Sequence, residues 1–302
     1  MLQITGLTKS YGKHPVLKNL NMNIKKGDVY GFLGTNGCGK TTTMNIICNI
    51  IAKDEGDIAF EDENTRIGYL PESPSLYGYM NGFEYLDFIG ACCRYEDNIK
   101  ARTAEVLEIT GMTESASRRI GGYSRGMNQR IGIAAALYAK PDLLILDEPT
   151  SALDPQGRAE VMDIIGKLAS TGVTIILCTH ILTDVERVAN RIGILKNGIM
   201  AVEDSISAVK ERLGRDNAIA VRLRERTPEL VAALCGMNII ARNEADESDG
   251  IILFAKDGVS EKELYTKTVI ALAEKNVLPE RIEFRRLSLE QIYIGVNSGA
   301  FY

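Results

Sequence analysis

Gly34-Thr35-Asn36-Gly37-Cys38-Gly39-Lys40-Thr41 fits G-x-x-x-x-G-K-[ST], the pattern of a polyphosphate-binding loop. A polyphosphate needs several converging N–H donors, and glycines let the backbone approach and turn without a Cβ clash. Lys40 brings a point charge to the terminal phosphates, and the Thr41 hydroxyl suits Mg²⁺. Asp28 to Leu33, just before the loop, reads as a buried strand. Thr42 to Cys48, just after it, reads as a helix whose N-terminus favours an anion.

A second chemical stretch lies a hundred residues on. Leu143-Leu144-Ile145-Leu146 is apolar on both faces, as a central parallel strand is, and it ends in Asp147-Glu148-Pro149. An aspartate there could hold Mg²⁺, and the adjoining Glu148 could polarise an attacking water. Taken alone, two carboxylates ending a strand fit a helix cap equally well. A third stretch, Gly122-Tyr123-Ser124-Arg125-Gly126-Met127, is a small-residue turn feeding a helix, and alone it reads as an N-cap at Ser124.

The order of elements is that of an α/β protein. Met1 to Ile24 reads as antiparallel strands around a turn at Tyr11–Pro15. Short strands follow at Ile58–Phe60 and Arg66–Leu70, and the pattern from about 75 to 140 is mainly helical. A helix at Arg158–Ala169, a strand at Val173–Cys178, a helix at Thr183–Ala189 and a strand at Arg191–Leu195 complete an alternation that implies a parallel sheet. Beyond a boundary near Gly214–Asn217 the pattern becomes strand 218–223, helix 228–235, strands 237–241 and 251–255, helix 260–274 and strand 281–284. That is β-α-β-β-α-β, a ferredoxin-like order.

Composition narrows the classes. The 302 residues are 45% hydrophobic and 25% charged, an ordinary globular balance. A net charge of -5 argues against a nucleic-acid binder, and none is expected as a partner. The six cysteines form no C-x-x-C pair and read as reduced packing residues, with Cys38 a candidate alkylation-sensitive thiol. The chain opens directly on the strand-like Leu2-Gln3-Ile4 rather than a secretory signal, and no apolar run is long enough to span a bilayer. His14, before Pro15 in a turn, reads as a surface residue. His180, the other histidine, follows a strand end where a terminal phosphate could be reached.

In combination these motifs resemble the nucleotide-binding subunit of ABC transporters, from about Leu2 to about Arg212. The resemblance implies a P-loop NTPase fold: a RecA-like core with an antiparallel β subdomain and a helical insert at about 75–140. It divides the chain into an ATPase domain over 1–213 and a small C-terminal α+β domain over 217–302, read as a stability or dimerisation appendage. The ligands implied are ATP and Mg²⁺. Gly34, Thr35, Asn36, Gly37, Cys38, Gly39, Lys40, Thr41 and Thr42 would line the nucleotide, and Tyr11 would stack on adenine. Ser124 and Gly126 stand in the signature segment and Asp154 in the D-loop. Thr41, Asp147 and Glu72 are the metal candidates, and Glu148 and His180 the catalytic ones.

Two motifs depart from the family pattern. Arg125 replaces the first glycine of the signature and Met127 its glutamine, and Glu72 stands where most such subunits carry glutamine. Both departures, with Ser73-Pro74-Ser75-Leu76-Tyr77, look like the exporter subfamilies that handle drugs, antimicrobial peptides, sodium or bacterial gliding components. The implied partners are a second copy or a paralogous ATPase subunit and an integral-membrane permease, at the cytoplasmic face of the cell membrane. Against this stand a soluble ABC ATPase acting on ribosomes or DNA, and a regulatory module that exports nothing. One nucleotide domain, no heptads and no basic run weigh against the ribosome or DNA reading.

Overall fold

The computed structural model describes residues 1–224, 227–245 and 250–299. The chain divides into two compact units, Met1–Ile206 and Ser207–Tyr302. The division falls ahead of the 213–217 stretch at which the sequence suggested a boundary.

The first unit opens with β1 (Leu2–Tyr11) and β2 (His14–Ile24), followed by β3 (Val29–Gly34), α1 (Lys40–Ile47), β4 (Glu55–Phe60) and β5 (Ile67–Leu70). The insert contributes α2 (Gly82–Cys92), α3 (Ile99–Ile109) and α4 (Arg125–Leu137). The chain then returns through β6 (Leu143–Asp147), α5 (Pro155–Ser170), β7 (Thr174–Thr179), α6 (Leu182–Val188), β8 (Arg191–Lys196) and β9 (Ile199–Ser205). Two sheets result: an antiparallel one in the order β2-β1-β4, and one in the order β5-β6-β7-β3-β8-β9 that is parallel except at its β9 edge.

Every residue of β3, β6 and β7 is buried, as strands covered on both faces require. The β1–β2 ribbon instead turns Leu2, Ile4, Leu7, Leu17, Leu20, Met22 and Ile24 inward onto Phe32, Met44, Ile145 and Ile176 of the parallel layer. Register brings the chemistry to one edge. Leu33 pairs with Thr179, Asp147 with Cys178, and Gly34 with Leu195. The C-terminal ends of β3, β6 and β7 therefore stand in a row, where open α/β sheets present their binding crevice.

The second unit holds α7 (Ile206–Leu213), β10 (Arg215–Leu223), α8 (Pro228–Cys235), β11 (Ile240–Ala245), β12 (Ile251–Ala255), α9 (Glu261–Glu274), β13 (Pro279–Arg286) and α10 (Leu289–Ser298). Its sheet runs β11-β12-β10-β13 with every neighbouring pair antiparallel. This is the strand order that a β-α-β-β-α-β chain takes when both helices cover one face. Ile219, Val221, Leu253 and Ile282 meet Leu230, Leu234, Leu264 and Leu272 across that face.

Three expectations shift. β11 begins at Ile240 rather than Met237, because Ile240 N–H closes a turn onto Met237 O at 3.0 Å. α1 begins at Lys40 rather than Thr42, and α5 at Pro155, the favoured first position for proline, rather than Arg158. β9, a half-exposed edge strand, had no sequence signal.

Candidate active site

The phosphate loop links β3 to α1, and its backbone has two demanding points. Gly39, the N-cap of α1, takes φ 114, a left-handed conformation that strains any side-chain-bearing residue. Gly34 leaves no room for a Cβ, which would meet Cys38 Sγ and, at 2.7 Å, Leu195 O. Because α1 starts at Lys40, its first free amides belong to the loop itself, where an anion gains from both donors and dipole.

A cavity of about 480 Å³ opens over the loop. It is lined by Asn36, Gly37, Gly39, Lys40, Thr41 and Thr42, with Val16, Glu72, Glu148 and His180. Lys40 is buried, and its ammonium donates to Gly34 O at 2.8 Å and Thr35 O at 3.4 Å. It also lies 3.8 Å from Glu148 Oε1. Thr41 Oγ1 donates to Asp147 Oδ2 at 2.7 Å.

Asp147 is fully buried, and its Oδ1 has no hydrogen-bond partner among the described residues. Burial raises its pKa, the Thr41 hydrogen bond opposes the rise, and the Glu148 charge adds to it. An orphaned buried carboxylate oxygen beside a threonine hydroxyl and an anion site is the donor set a hard divalent cation takes.

Glu148 holds φ 49, a conformation that bulky residues rarely adopt and that gathers at functional sites. Both its oxygens face His180 Nδ1, at 3.0 and 2.9 Å, and Thr179 Oγ1 donates to Oε2 at 3.3 Å. Thr179 carried no sequence signal, because its role comes from strand register. Val16, on the cavity wall, had none either.

Four predicted residues stand elsewhere. Tyr11 is exposed at the end of β1, with Lys9 Nζ 5.7 Å from its ring centroid, and does not line the cavity. Ser124, Gly126 and Asp154 share a separate depression of about 500 Å³. Ser124 caps α4 by accepting from Met127 N–H at 3.2 Å, and Asp154 caps α5 by accepting from Gly157 N–H at 2.9 Å. The two departures from the family pattern, Glu72 and Arg125, line one further cavity of about 370 Å³. Cys38 is buried, and burial pushes its thiol pKa up. The expected alkylation sensitivity of that thiol is corrected accordingly, since the thiolate is the reactive form.

The parallel sheet, the loop at its edge and the carboxylates on the next strand but one define a P-loop nucleoside triphosphatase. Comparison with known proteins narrows the class. Residues 17–151 match the ABC transporter family model. The chain is 38% identical to the linearmycin resistance ATP-binding protein LnrL of Bacillus subtilis, over 72% of this chain and 74% of that protein. It is 38% identical to the lantibiotic transport ATP-binding protein SrtF of Streptococcus pyogenes, over 67% and 90%. Among solved structures, the dimeric post-hydrolysis state of the ATP-binding cassette MJ0796, bound to ADP and Pi, superposes with a TM-score of 0.62. It is 26% identical, over 68% of this chain and 99% of that one. The chain belongs to the ABC transporter ATP-binding proteins, and as such is an ATP-hydrolysing subunit that powers transport. No helix among the described residues is long and apolar enough to cross a membrane.

Proposed function

We propose that this subunit drives an exporter of antibiotics or antimicrobial peptides, by closing head to tail on a second copy or a paralogous subunit around ATP. The observation that carries the reading is the separation of two half-sites. Lys40, Thr41, Glu148 and His180 line one cavity, and Ser124, Gly126 and Asp154 line another. Pairing two chains brings the Ser124 wall of one over the Lys40 cavity of the other. It adds donors to the phosphates and expels water, which strengthens every charge interaction there. The dimeric form of the MJ0796 cassette supports this arrangement, and the names of LnrL and SrtF support the substrate class.

In the closed site Tyr11 stacks on adenine, Gly34 to Thr42 cradle the phosphates, and Glu148 accepts a proton from the attacking water while His180 holds its carboxylate. Thr41 Oγ1 and Asp147 would hold Mg²⁺, with Glu72 at the cavity wall, and the ion would supply positive charge to the terminal phosphates. The permease docks beside the insert, where Tyr77, Tyr79, Phe83 and Phe88 are exposed and Tyr77 lies 5.8 Å from Tyr79 and 5.6 Å from Phe88. A contiguous exposed aromatic surface of this kind marks a protein partner. Docking of this kind would hold the chain at the cytoplasmic face of the cell membrane.

Glu148→Gln tests the reading. With ATP it is expected to elute as a stable dimer that barely turns over, whereas a monomer with normal turnover would overturn the assignment. Affinity purification of the full chain from membranes is expected to retain an integral-membrane permease. Recovery of ribosomes or DNA instead would favour a soluble ATPase.

A further inference from the structure

Glu148 and His180 come from neighbouring strands, and one buried carboxylate ties together the segments that follow them. Thr150, two residues after Glu148, donates through Oγ1 to Asp184 Oδ2 at 2.6 Å. Asp184, four residues after His180, receives Arg158 Nε on Oδ1 at 2.8 Å and Arg158 Nη2 at 2.7 Å. Arg158 Nη2 also donates to Thr183 Oγ1 at 2.6 Å. Asp184 is 4% exposed and Thr150 2%, so water does not compete for the bond between them. A single side chain thus joins the turn after β6 to α5 and α6.

From this geometry we infer that Asp184 is a positioning residue for ATP hydrolysis, its carboxylate clamping the turn that carries Glu148 to the segment that carries His180. The inference rests on the reading of Glu148 and His180 as the hydrolytic pair. The turn needs such a hold. Glu148 at φ 49 and Ala152 at φ 57 both take left-handed conformations, which persist only where the surroundings over-determine them. The backbone bond from Glu148 N–H to Cys178 O, 2.8 Å long, fixes the near end of the turn. The Asp184 clamp fixes its far side. Without it Glu148 can rotate away from His180 while the phosphate loop, on β3 and α1, stays as it is.

The clamp therefore predicts a loss in turnover without a loss in nucleotide affinity. Thr150→Val removes one hydroxyl at almost constant volume, and Arg158→Gln removes the guanidinium. Each should lower kcat by ~10-fold or more and leave KM for ATP within ~3-fold, as displacement of a catalytic group does. Thr150→Ser keeps the hydroxyl and should restore most of kcat. Turnover is expressed per ATP-binding site, titrated with a fluorescent ATP analogue on the full chain, so that any unfolded fraction drops out. Wild-type kcat per binding site in both variants overturns the clamp, even if their melting temperatures fall. Glu148→Gln, assayed in parallel, separates the two failures. If it hydrolyses ATP normally, the hydrolytic pair is misassigned. If it is inactive while both clamp variants turn over normally, the clamp alone is wrong.

Discussion

His180 Nδ1 stands 2.9 Å from Glu148 Oε2 and 3.0 Å from Oε1, a single ring nitrogen shared by both oxygens of the carboxylate. The contact holds the carboxylate at the cavity wall from a strained backbone.

Removing the ring should therefore act through the carboxylate. His180→Ala is expected to lower kcat by ~10²-fold, comparable with a misplaced general base, and Glu148→Gln by at least as much. The double variant should be no slower than Glu148→Gln alone, because residues acting as a unit are non-additive. Steady-state ATPase assays of the three variants decide it, and additive losses would show that the two groups work separately.

Asp147 illustrates the conflict between stability and function. Burial raises its pKa, so ionised Asp147 costs folding free energy in the nucleotide-free protein at neutral pH. That cost fades as pH falls through the raised folded pKa toward the unfolded value and the carboxyl protonates. Asp147→Asn is expected to melt a few degrees higher without nucleotide at pH 7, at ~2–4 °C per kcal/mol. The gain should shrink on acidification, and the variant should lose Mg²⁺-dependent protection by ATP. Differential scanning calorimetry from pH 7 to pH 4 reads both effects.

At Gly34 the constraint is steric. A methyl group there presses on Cys38 Sγ and on Leu195 O, and the pairing of Gly34 with Leu195 holds that carbonyl in place. Gly34→Ala should cost ~1–3 kcal/mol of stability and weaken ATP binding. Gly122→Ala, with no atom within 4 Å of the new Cβ, is the matched control. Chemical denaturation and ATP titration of the two proteins measure the difference.

The aromatic surface should separate hydrolysis from partner binding. Tyr79→Asp, at the most exposed ring of the group, is expected to leave the isolated subunit's ATPase within ~2-fold and to weaken retention of the permease by tenfold or more. Quantitative co-purification reports it. Undiminished retention would move the docking site elsewhere.

The parts of this molecule that sequence reveals are those governed by local rules. The loop needs glycines and a lysine at fixed spacing, and β3, β6 and β7 need unbroken apolar runs. The ferredoxin-like order in the second unit followed from β-branched and apolar clusters set between helical spacings. What stayed hidden depends on strand register or on long-range pairing. Thr179 reaches Glu148 only because β7 lies beside β6. Thr150 and Asp184, 34 residues apart in sequence and 2.6 Å apart in space, are an ordinary turn residue and an ordinary helix residue until the fold joins them. The burial of Cys38 is equally invisible, because the loop motif does not fix the exposure of that position.

If two copies pair head to tail as proposed, the separate locations of Lys40 and Ser124 lead to an arithmetic of mixing. A chain carrying Lys40→Ala offers an intact Ser124 wall, and one carrying Ser124→Arg offers an intact Lys40 cavity. Each is expected to be inactive by itself. Pooled in equal amounts, with random pairing, half the dimers are mixed and each regenerates one working site of two, so the pool regains about a quarter of the wild-type rate. Inactive protein made active by adding inactive protein would be the signature of a nucleotide site that belongs to neither chain alone.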